Sequence, residues 1–290
     1  MDRKEFLKSL GVITTFRAAA ILAAAVLFCA CGARKYASVD ASSPYQKPSD
    51  CFRIVSYNVG AFGKYIPDMG ENVAMVAAML GEVGADAVTL NELDSLNGRH
   101  EAFELQALAD SLGGWEYNFS SSMPYRGGAY GNGVVLPKGT KILDRYTLHL
   151  PQSIDNEPRS VSVIETEDYV IGGVHLGLVP SVQLEQVEVI NAWARERYAS
   201  CGDKPVFLCG DMNAVPGSAT ILALEKDWER LSTDEFSFDS RTPGICIDHI
   251  FRYRLSAPVE VLGAATMSNF TRGDATLASD HLSIYVDLKF

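Results

Sequence analysis

Short apolar runs that end in an amide or carboxylate side chain recur along this chain, and they constrain its fold more than any other feature. Such runs cover residues 54–58, 88–92, 207–213 and 245–249, and residues 279–281 repeat the polar ending. Their length and their content of Val, Ile, Leu and Phe are typical of buried β-strands. Because strand ends meet at the edge of a sheet, we expect these polar groups to converge on a rigid scaffold.

Helical and hairpin patterns lie between these runs. Residues 73–83 and 184–198 carry apolar side chains at helical spacing, whereas residues 159–166 and 169–175 predict a hairpin. We therefore predict an α/β (α+β) protein in which sheets pack face to face and helices lie outside them.

The composition indicates one globular domain, or at most two small ones. Of 290 residues, 47% are hydrophobic and 21% are charged, which allows a sizeable core. The plentiful apolar residues, the near-average Gly and Pro content and the lack of a persistent heptad argue against a disordered chain, a collagen-like fibre and a coiled coil. The formal net charge of -11 repels polyanions and argues against nonspecific coating of nucleic acid, although it says nothing about a local site.

The N-terminus has the features of an export signal over residues 1–31. A basic segment is followed at residues 18–31 by the unbroken small and apolar run AAAILAAAVLFCAC. This run is shorter than the about 20 residues that cross a bilayer, so a permanent transmembrane helix is the weaker alternative. Its ending resembles a bacterial lipoprotein signal that would place a lipid on Cys31, and lipid attachment, simple cleavage and an uncleaved anchor all stay open. We expect an exported protein, periplasmic or tethered to the outer membrane or cell surface as a lipoprotein, in preference to one anchored in the inner membrane.

Residues 32–50 are rich in Ser, Pro, Tyr and Ala without periodicity, which predicts a flexible linker. The folded domain is expected to span residues 51–290, because the strand-like runs begin there. No internal repeat or second linker divides this part of the sequence, and we expect a monomer.

The cysteines beyond the signal are Cys51, Cys201, Cys209 and Cys246. An oxidising compartment permits disulfides among them, but no spacing selects a pairing. Cys209 and Cys246 lie in apolar runs, so we favour the alternative that they are small core residues. No spacing typical of zinc ligands is present.

Carboxylates and an amide gathered without thiolates suit a hard cation such as Mg²⁺, which prefers oxygen ligands. Two histidines beside acids, at 248–249 and 280–281, add candidates for charge stabilisation or proton transfer. The strand ends therefore predict a site that combines a cation with acid–base groups.

Several short motifs follow one another in a fixed order. They are Tyr57-Asn58, Asn91-Glu92, Tyr130-Gly131-Asn132-Gly133, Val174-His175-Leu176, Gly210-Asp211-Met212-Asn213, Ile247-Asp248 and Ser279-Asp280-His281. Together they resemble the endonuclease/exonuclease/phosphatase superfamily, which includes DNase I-like nucleases, apurinic endonucleases, bacterial sphingomyelinases and inositol polyphosphate phosphatases. The resemblance spans residues 51–290 and implies a four-layer sandwich of two mixed, mainly antiparallel sheets with helices outside.

The resemblance also implies a metal site and a hydrolytic reaction. Glu92 would be the principal ligand of Mg²⁺, or of Mn²⁺ in its place, helped by Asn58 and, directly or through water, by Asp280. Asp211 would orient and deprotonate the attacking water, and Asn213 would hold that water or a phosphate oxygen. The reaction would be an in-line attack on phosphorus without a covalent intermediate.

The remaining roles concern the phosphate. His281 would face the scissile phosphate and stabilise the charge of the transition state, oriented by Asp248 through its other ring nitrogen. His175 would be a second donor to the phosphate or leaving group. Tyr130 and Arg159 are further candidate contacts to the substrate, as is Asn58.

Each of these residues alone has a simpler explanation. Asn58 and Asn213 can cap turns, Glu92 and Asp211 can be loop or turn acids, and a lone histidine such as His175 is more often packed than catalytic. Their occurrence together, in order, favours the active site. Two positions depart from the family pattern, Asn91 in place of glutamine and Met212 in place of Phe or Leu, and neither removes a catalytic atom.

The substrate is left open between a nucleic acid, a phospholipid head group and a sugar phosphate. A nuclease needs a basic or aromatic track, for which the candidates are Arg99, Arg126, Lys138, Arg159, Arg272, Tyr125 and Trp115. The Gly-rich residues 120–130 can close over a substrate or form only a long turn. A binding lipoprotein without activity is the alternative from another class, and it predicts the loss of a ligand or of the Asp211 and His281 pair, all of which are present.

Overall fold

The computed structural model describes residues 36–152, 157–200 and 202–290. The export signal predicted over residues 1–31 lies outside these residues. Tyr36–Phe290 forms one compact unit, and within its described part no helix is long and apolar enough to cross a membrane.

The domain consists of two sheets and a few helices. The strands are β1 Phe52–Asn58, β2 Ala87–Ser95, β3 Glu116–Tyr125, β4 Gly128–Leu136, β5 Ile142–His149, β6 Ser160–Thr166, β7 Val170–His175, β8 Val206–Asp211, β9 Trp228–Arg230, β10 Asp248–Tyr253, β11 Glu260–Met267 and β12 Ser283–Lys289. The helices are α1 Met69–Glu82, α2 Glu104–Ser111, α3 Pro180–Tyr198, α4 Ala219–Leu224 and α5 Ala275–Ala278, with a 3₁₀ turn at Gly60–Phe62.

Both sheets are six-stranded and mixed. Their strand orders are β11-β12-β1-β2-β4-β3 and β5-β6-β7-β8-β10-β9. The pairs β1–β2 and β7–β8 are parallel, and every other neighbouring pair is antiparallel. The predicted mixed, mainly antiparallel sheets are therefore confirmed.

Alternation along the strands produces the layers. Ile54 of β1 packs with Phe207 of β8 in a core between the two sheets, whereas its neighbour Val55 packs on the opposite face with Val76 of α1. On the outer face of the second sheet, Val161 of β6 packs with α3. Each such side chain, when fully buried, contributes about 1.5–3 kcal/mol of hydrophobic stabilisation. Two sheets with helices outside them form the predicted four-layer sandwich.

The structure differs from the sequence predictions in two segments, residues 120–130 and residues 245–249. Residues 120–130 are neither a lid nor a simple long turn, because they form the hairpin of β3 and β4, which turns at Arg126 and Gly127 with φ of 45° and 90°. Residues 245–249 were predicted as a strand that ends in a polar residue, yet β10 begins at Asp248. Since β10 runs antiparallel to β8, its first residue reaches the same sheet edge as the last residue of β8.

The described part of the predicted linker lies against the domain. Residues 36–50 contain no helix or strand, but the ammonium of Lys47 lies 2.6 Å from a carboxylate oxygen of Asp86, and both side chains are 4% exposed. The backbone N–H of Asp40 donates to the carbonyl of Glu82, and the ring of Tyr36 lies 5.6 Å from that of Phe52. These polar and aromatic contacts are not periodic, so composition alone did not indicate them.

Three of the cysteines are buried free thiols, namely Cys51, Cys209 and Cys246. Cys201 lies outside the described residues. Burial raises the pKa of Cys51 and of Cys246 to about 11, so these thiols stay protonated at neutral pH. The prediction that Cys209 and Cys246 are small core residues agrees with their burial.

Candidate active site

One edge of each sheet brings the predicted polar residues together. In the first sheet, parallel pairing places Asn58 beside Asn91. In the second, parallel pairing places His175 beside Asp211, and antiparallel pairing places Asp248 on the other side of Asp211. The ends of β1, β7 and β8 and the start of β10 thus supply one site, as the sequence pattern predicts. The run 88–92 differs from that prediction, because β2 continues to Ser95 and Asn91 and Glu92 lie in its interior.

Asp211 lies at the centre of this site and is 1% exposed. Its Oδ2 accepts a hydrogen bond from Nδ2 of Asn58 at 3.1 Å, and it lies 3.4 Å from Nε2 of His175 and 3.6 Å from Nε2 of His281. Its Oδ1 accepts the backbone N–H of Asn213 at 2.8 Å. The carboxylate is therefore fixed in position by donors from both sheets.

Burial changes the protonation of Asp211. Desolvation, followed by repulsion from Asp248, raises its pKa to about 7, although His281 and the hydrogen bonds from Asn213 and Asn58 oppose this change. A carboxylate with a pKa near neutrality is suited to take a proton from water.

His281 is held by a second buried carboxylate. Its Nδ1 lies 2.9 Å from Oδ2 of Asp248, and that oxygen also accepts the hydroxyl of Ser237 at 2.6 Å. Burial alone lowers the pKa of His281, but Asp248 and then Asp211 outweigh burial and raise it to about 10. His281 is therefore protonated at neutral pH, with Nδ1 directed to Asp248 and Nε2 directed towards Asp211.

His175 has the opposite character. Its Nδ1 lies 3.1 Å from Nη1 of Arg159, and since a guanidinium can only donate, this nitrogen is an acceptor. Burial and the charge of Arg159 hold the pKa of His175 well below its usual value. With Nδ1 as the acceptor, the neutral ring carries its proton on Nε2, 3.4 Å from Oδ2 of Asp211. Nδ2 of Asn213 lies 3.0 Å from the same nitrogen and is also a donor, and its hydrogen bond goes to the carbonyl of Leu176.

Glu92 reaches the site through a backbone irregularity. Between the pairs Leu90–Gly133 and Leu93–Gly131, two residues of β2 oppose the single residue Asn132 of β4, which is a β-bulge. Glu92 has φ of 59°, a left-handed conformation that costs about 1–2 kcal/mol in a residue other than glycine. The bulge directs its side chain to the cavity, where Oε1 accepts from Nδ2 of Asn58 at 3.1 Å.

The oxygen-rich side of the site fits a hard cation. Asp280 lines the same cavity as Glu92, and its Oδ2 lies 2.6 Å from the ammonium of Lys64, which takes the place of a counter-ion there. Oδ1 of Asn58, predicted to help hold the metal, accepts the N–H of Gly60, and its Nδ2 donates to Glu92 and Asp211. In this arrangement Asn58 positions the two carboxylates.

Asn91 is a site residue whose role the sequence did not predict. Its Oδ1 accepts the backbone N–H of Asp211 at 2.9 Å, and its Nδ2 donates to the carbonyl of Val174 at 2.8 Å and to Asn132 at 3.1 Å. Asn91 therefore connects the two sheets directly behind Asp211. Its place beside Glu92 in the motif was the only signal available.

A cavity of about 640 Å³ opens over these groups. Tyr130, which is 8% exposed, and Arg159 line it together with Arg99 and Tyr125. Burial and the nearby Glu92 raise the pKa of Tyr130, so it stays a neutral phenol. All the residues predicted for catalysis, substrate binding and metal binding thus lie in or directly beneath this cavity.

The other basic candidates are placed differently. The guanidinium of Arg126 lies 5.3 Å from the centre of the Tyr125 ring, at the tip of the β3–β4 hairpin. Arg272 pairs instead with Asp40, and Lys138 and Trp115 do not line the cavity. The described residues therefore do not join the basic candidates into one track.

Comparison with known proteins identifies a family to which the sequence is similar. The profile of the Endonuclease/Exonuclease/phosphatase family matches residues 55–281. A search of curated protein sequences finds no significant match.

Solved structures of low sequence identity share the fold. An endonuclease/exonuclease/phosphatase from Bacteroides vulgatus has a TM-score of 0.65 at 15% identity, over 83% of this chain and 99% of that chain. The mannosyl-6-phosphatase Bt3783 of Bacteroides thetaiotaomicron VPI-5482 has a TM-score of 0.64 at 16% identity, over 82% and 100% of the two chains. Humanized D. rerio TDP2 with 14 mutations has a TM-score of 0.62 at 18% identity, over 83% and 100%.

At these identities the structural likeness establishes the fold, whereas the profile covers most of the chain, including all the motifs from Tyr57 to His281. The protein therefore belongs to the endonuclease/exonuclease/phosphatase family, whose members are phosphoester hydrolases.

Proposed function

We propose that this protein is a divalent-metal-dependent phosphoesterase that hydrolyses compact phosphate esters outside the cytoplasm. The observation that carries the proposal is the position of Asp211, a buried carboxylate with donors from Asn58, His175 and His281 within 3.6 Å. It lies under the same cavity that Glu92 and Asp280 line.

Glu92 and Asp280 would hold the metal, with Asn58 fixing the orientation of Glu92. The bound cation would supply Lewis acidity and neutralise phosphate charge. Mg²⁺ is the expected ion because the available donors are oxygens, and Mn²⁺ would fit the same ligands. The ammonium of Lys64 beside Asp280 supports a preference for positive charge at this position.

The chain's own groups would perform the proton transfers and bind the phosphate. Asp211 would take a proton from the attacking water, which Asn213 would help to hold. The protonated Nε2 of His281 would donate to a phosphate oxygen as charge develops in the transition state. The neutral Nε2–H of His175 would donate to a second oxygen or to the leaving group, and Arg159 would keep that tautomer.

The size of the cavity favours a compact substrate over a long nucleic acid. A volume of about 640 Å³ suits a small molecule or the end of a chain. A phosphatase or a phosphodiesterase for small substrates is therefore favoured over a nuclease. Export, a lipid at Cys31 with a membrane tether, and a monomeric state complete the proposal, and the sequence of residues 1–31 supports the first two.

The test is hydrolysis by the purified chain after removal of metal with EDTA. We expect no turnover of simple phosphate monoesters and diesters without metal, recovery with Mg²⁺ or Mn²⁺, and a loss of about 10³-fold or more in Asp211→Asn. Asp234→Asn is the control, because Asp234 is a largely exposed acid paired with Arg230. Turnover that persists with EDTA contradicts metal dependence, and full activity of Asp211→Asn contradicts the site.

A further inference from the structure

Three exposed apolar side chains line the active-site cavity. Leu178 is 70% exposed, Val215 is 41% exposed and Ile245 is 42% exposed. Single exposed apolar residues are ordinary on protein surfaces, but several that meet in one concave site usually mark a binding surface. These three residues are called the apolar wall below.

The apolar wall is supplied by the second sheet and reaches the catalytic groups. Leu178 follows β7, Val215 follows β8, and Ile245 precedes β10. Phe238 lines the cavity too, is hydrogen-bonded to Ile245 through the backbone, and has its ring centre 4.8 Å from that of His281. A group attached to a phosphate at His281 therefore meets an apolar surface in this direction.

The wall is held in place by hydrogen bonds. Ile245 and Phe238 exchange backbone hydrogen bonds of 2.9 and 3.0 Å. The backbone of Gly177, directly before Leu178, donates to Gln186 at 2.9 Å and accepts from Gln183 at 2.7 Å. Both glutamines are buried. A surface formed before binding loses little entropy when a ligand covers it.

Charged side chains line the cavity as well. Glu92 and Asp280 lie there with Arg99, whose guanidinium is 5.0 Å from the centre of the Tyr125 ring and pairs with Asp94. The lining of the cavity therefore combines charged groups, among them the proposed metal ligands, with the exposed apolar side chains of the wall.

We propose that the apolar wall binds a hydrocarbon group of the substrate, so that the preferred ester joins phosphate to an aliphatic or aromatic group rather than to a sugar. This inference rests on the proposed function, because it takes the phosphate to lie at His281. The hydroxyls of a sugar would lose water against Leu178, Val215 and Ile245 without gaining partners there. A hydrocarbon group would instead remove apolar surface from water on both sides of the contact.

A chain-length series tests the inference. The n-alkyl phosphates from methyl to octyl, as monoesters and as methyl diesters, vary the hydrocarbon while the leaving alcohol keeps nearly the same pKa. We expect kcat/KM to rise about twofold for each of the first several methylenes, and hexyl phosphate to exceed glucose 6-phosphate. Benzyl phosphate compared with hexyl phosphate identifies whether a ring or a chain fits better, and a high rate with either supports the inference.

Substitutions in the apolar wall test whether these residues cause the dependence of kcat/KM on chain length. Leu178→Ser and Ile245→Ser should reduce the dependence on chain length. Leu143→Ser should leave it unchanged, because Leu143 is 59% exposed on β5 and does not line the cavity. Turnover of methyl phosphate without any rise along the series, or an unchanged rise in both wall variants, would overturn the inference while leaving the proposed function intact.

A calorimetric measurement of n-alkylphosphonate binding in the presence of Mg²⁺ tests the apolar wall separately from the proposed hydrolysis. If no ester is hydrolysed but affinity rises with chain length, and does so less in Ile245→Ser, the apolar wall is supported and the proposed reaction fails. If affinity does not depend on chain length, the apolar wall is not a hydrocarbon site.

Discussion

Oδ2 of Asp248 lies 2.9 Å from Nδ1 of His281, and both side chains are almost completely buried. In this pair burial favours a neutral ring, while the carboxylate favours a charged one, and the carboxylate prevails. The protonated state of His281 therefore depends on Asp248.

We predict that Asp248→Asn moves the alkaline limit of activity to lower pH. Without the carboxylate, the pKa of His281 falls from about 10, so the charged donor is lost at a lower pH. At pH 8 the variant should be about 10²-fold to 10³-fold slower. Profiles of kcat and kcat/KM against pH provide the measurement, with Asp234→Asn as the control, and an unshifted alkaline limb would contradict this role.

A second prediction concerns Asn91. Replacement by alanine removes the acceptor for the N–H of Asp211 and the donor to the carbonyl of Val174, which leaves buried groups unpaired. We expect Asn91→Ala to lower the free energy of unfolding by about 2–4 kcal/mol and to reduce kcat even where the protein is fully folded. Urea titration and kinetics measure the two effects. Asn269→Ala, at an exposed asparagine, should do neither, and wild-type stability in Asn91→Ala would refute the prediction.

The third prediction tests the packing of residues 36–50. Lys47→Met leaves the buried carboxylate of Asp86 without its cation and removes a 2.8 Å hydrogen bond to the carbonyl of Gly84. The expected loss of stability is about 3 kcal/mol, which is visible in thermal unfolding. Lys141→Met removes an exposed pair with Glu167 and should change stability by less than about 1 kcal/mol. Equal effects of the two substitutions would show that Lys47 is not held in this pair.

A fourth prediction uses a buried acid on α2. Burial raises the pKa of Glu104 to about 8, and its side chain is fully buried. The folded state therefore holds the proton of Glu104 more tightly than the unfolded state. The stabilisation that this proton gives the folded state is fully present below about pH 4.5 and is lost as pH rises through 8.

Replacement of that acid by an amide should remove this pH dependence. The stability of Glu104→Gln relative to wild type should rise between pH 5 and pH 8, by an amount on the order of a few kcal/mol. Urea midpoints at the two pH values provide the comparison, and Glu101→Gln, at an exposed site, should show no such trend. A difference that stays constant with pH would mean that Glu104 titrates normally.

The parts of the site that follow from strand periodicity could be predicted from the sequence. Asn58 and Asp211 each end a buried strand, His281 lies two residues before β12, and the packing of the two sheets brings the three together. The apolar pattern specifies the strands locally, so no distant partner has to be known. The resemblance supplied the chemical roles, and the family is confirmed by the profile match.

The remaining features depend on contacts between residues that are distant in sequence. The bulge at Glu92 exists only relative to β4, and nothing in the motif Asn91-Glu92 indicates it. The hydrogen bonds of Asn91 reach β7 and β8 across the sandwich. The pair of Lys47 and Asp86 joins a segment without periodicity to the domain, and composition describes such a segment only as a linker.

The position of Tyr36 also separates it from the active site, because the two lie at opposite ends of β1. Tyr36 packs against Phe52, where β1 begins, whereas Asn58 at the other end of β1 lies in the site. The seven extended residues of β1 span about 20 Å, which separates the two locations by the length of the strand. A bulky group attached at Tyr36 would therefore stand clear of the cavity mouth, and substrate entry would be sterically independent of it.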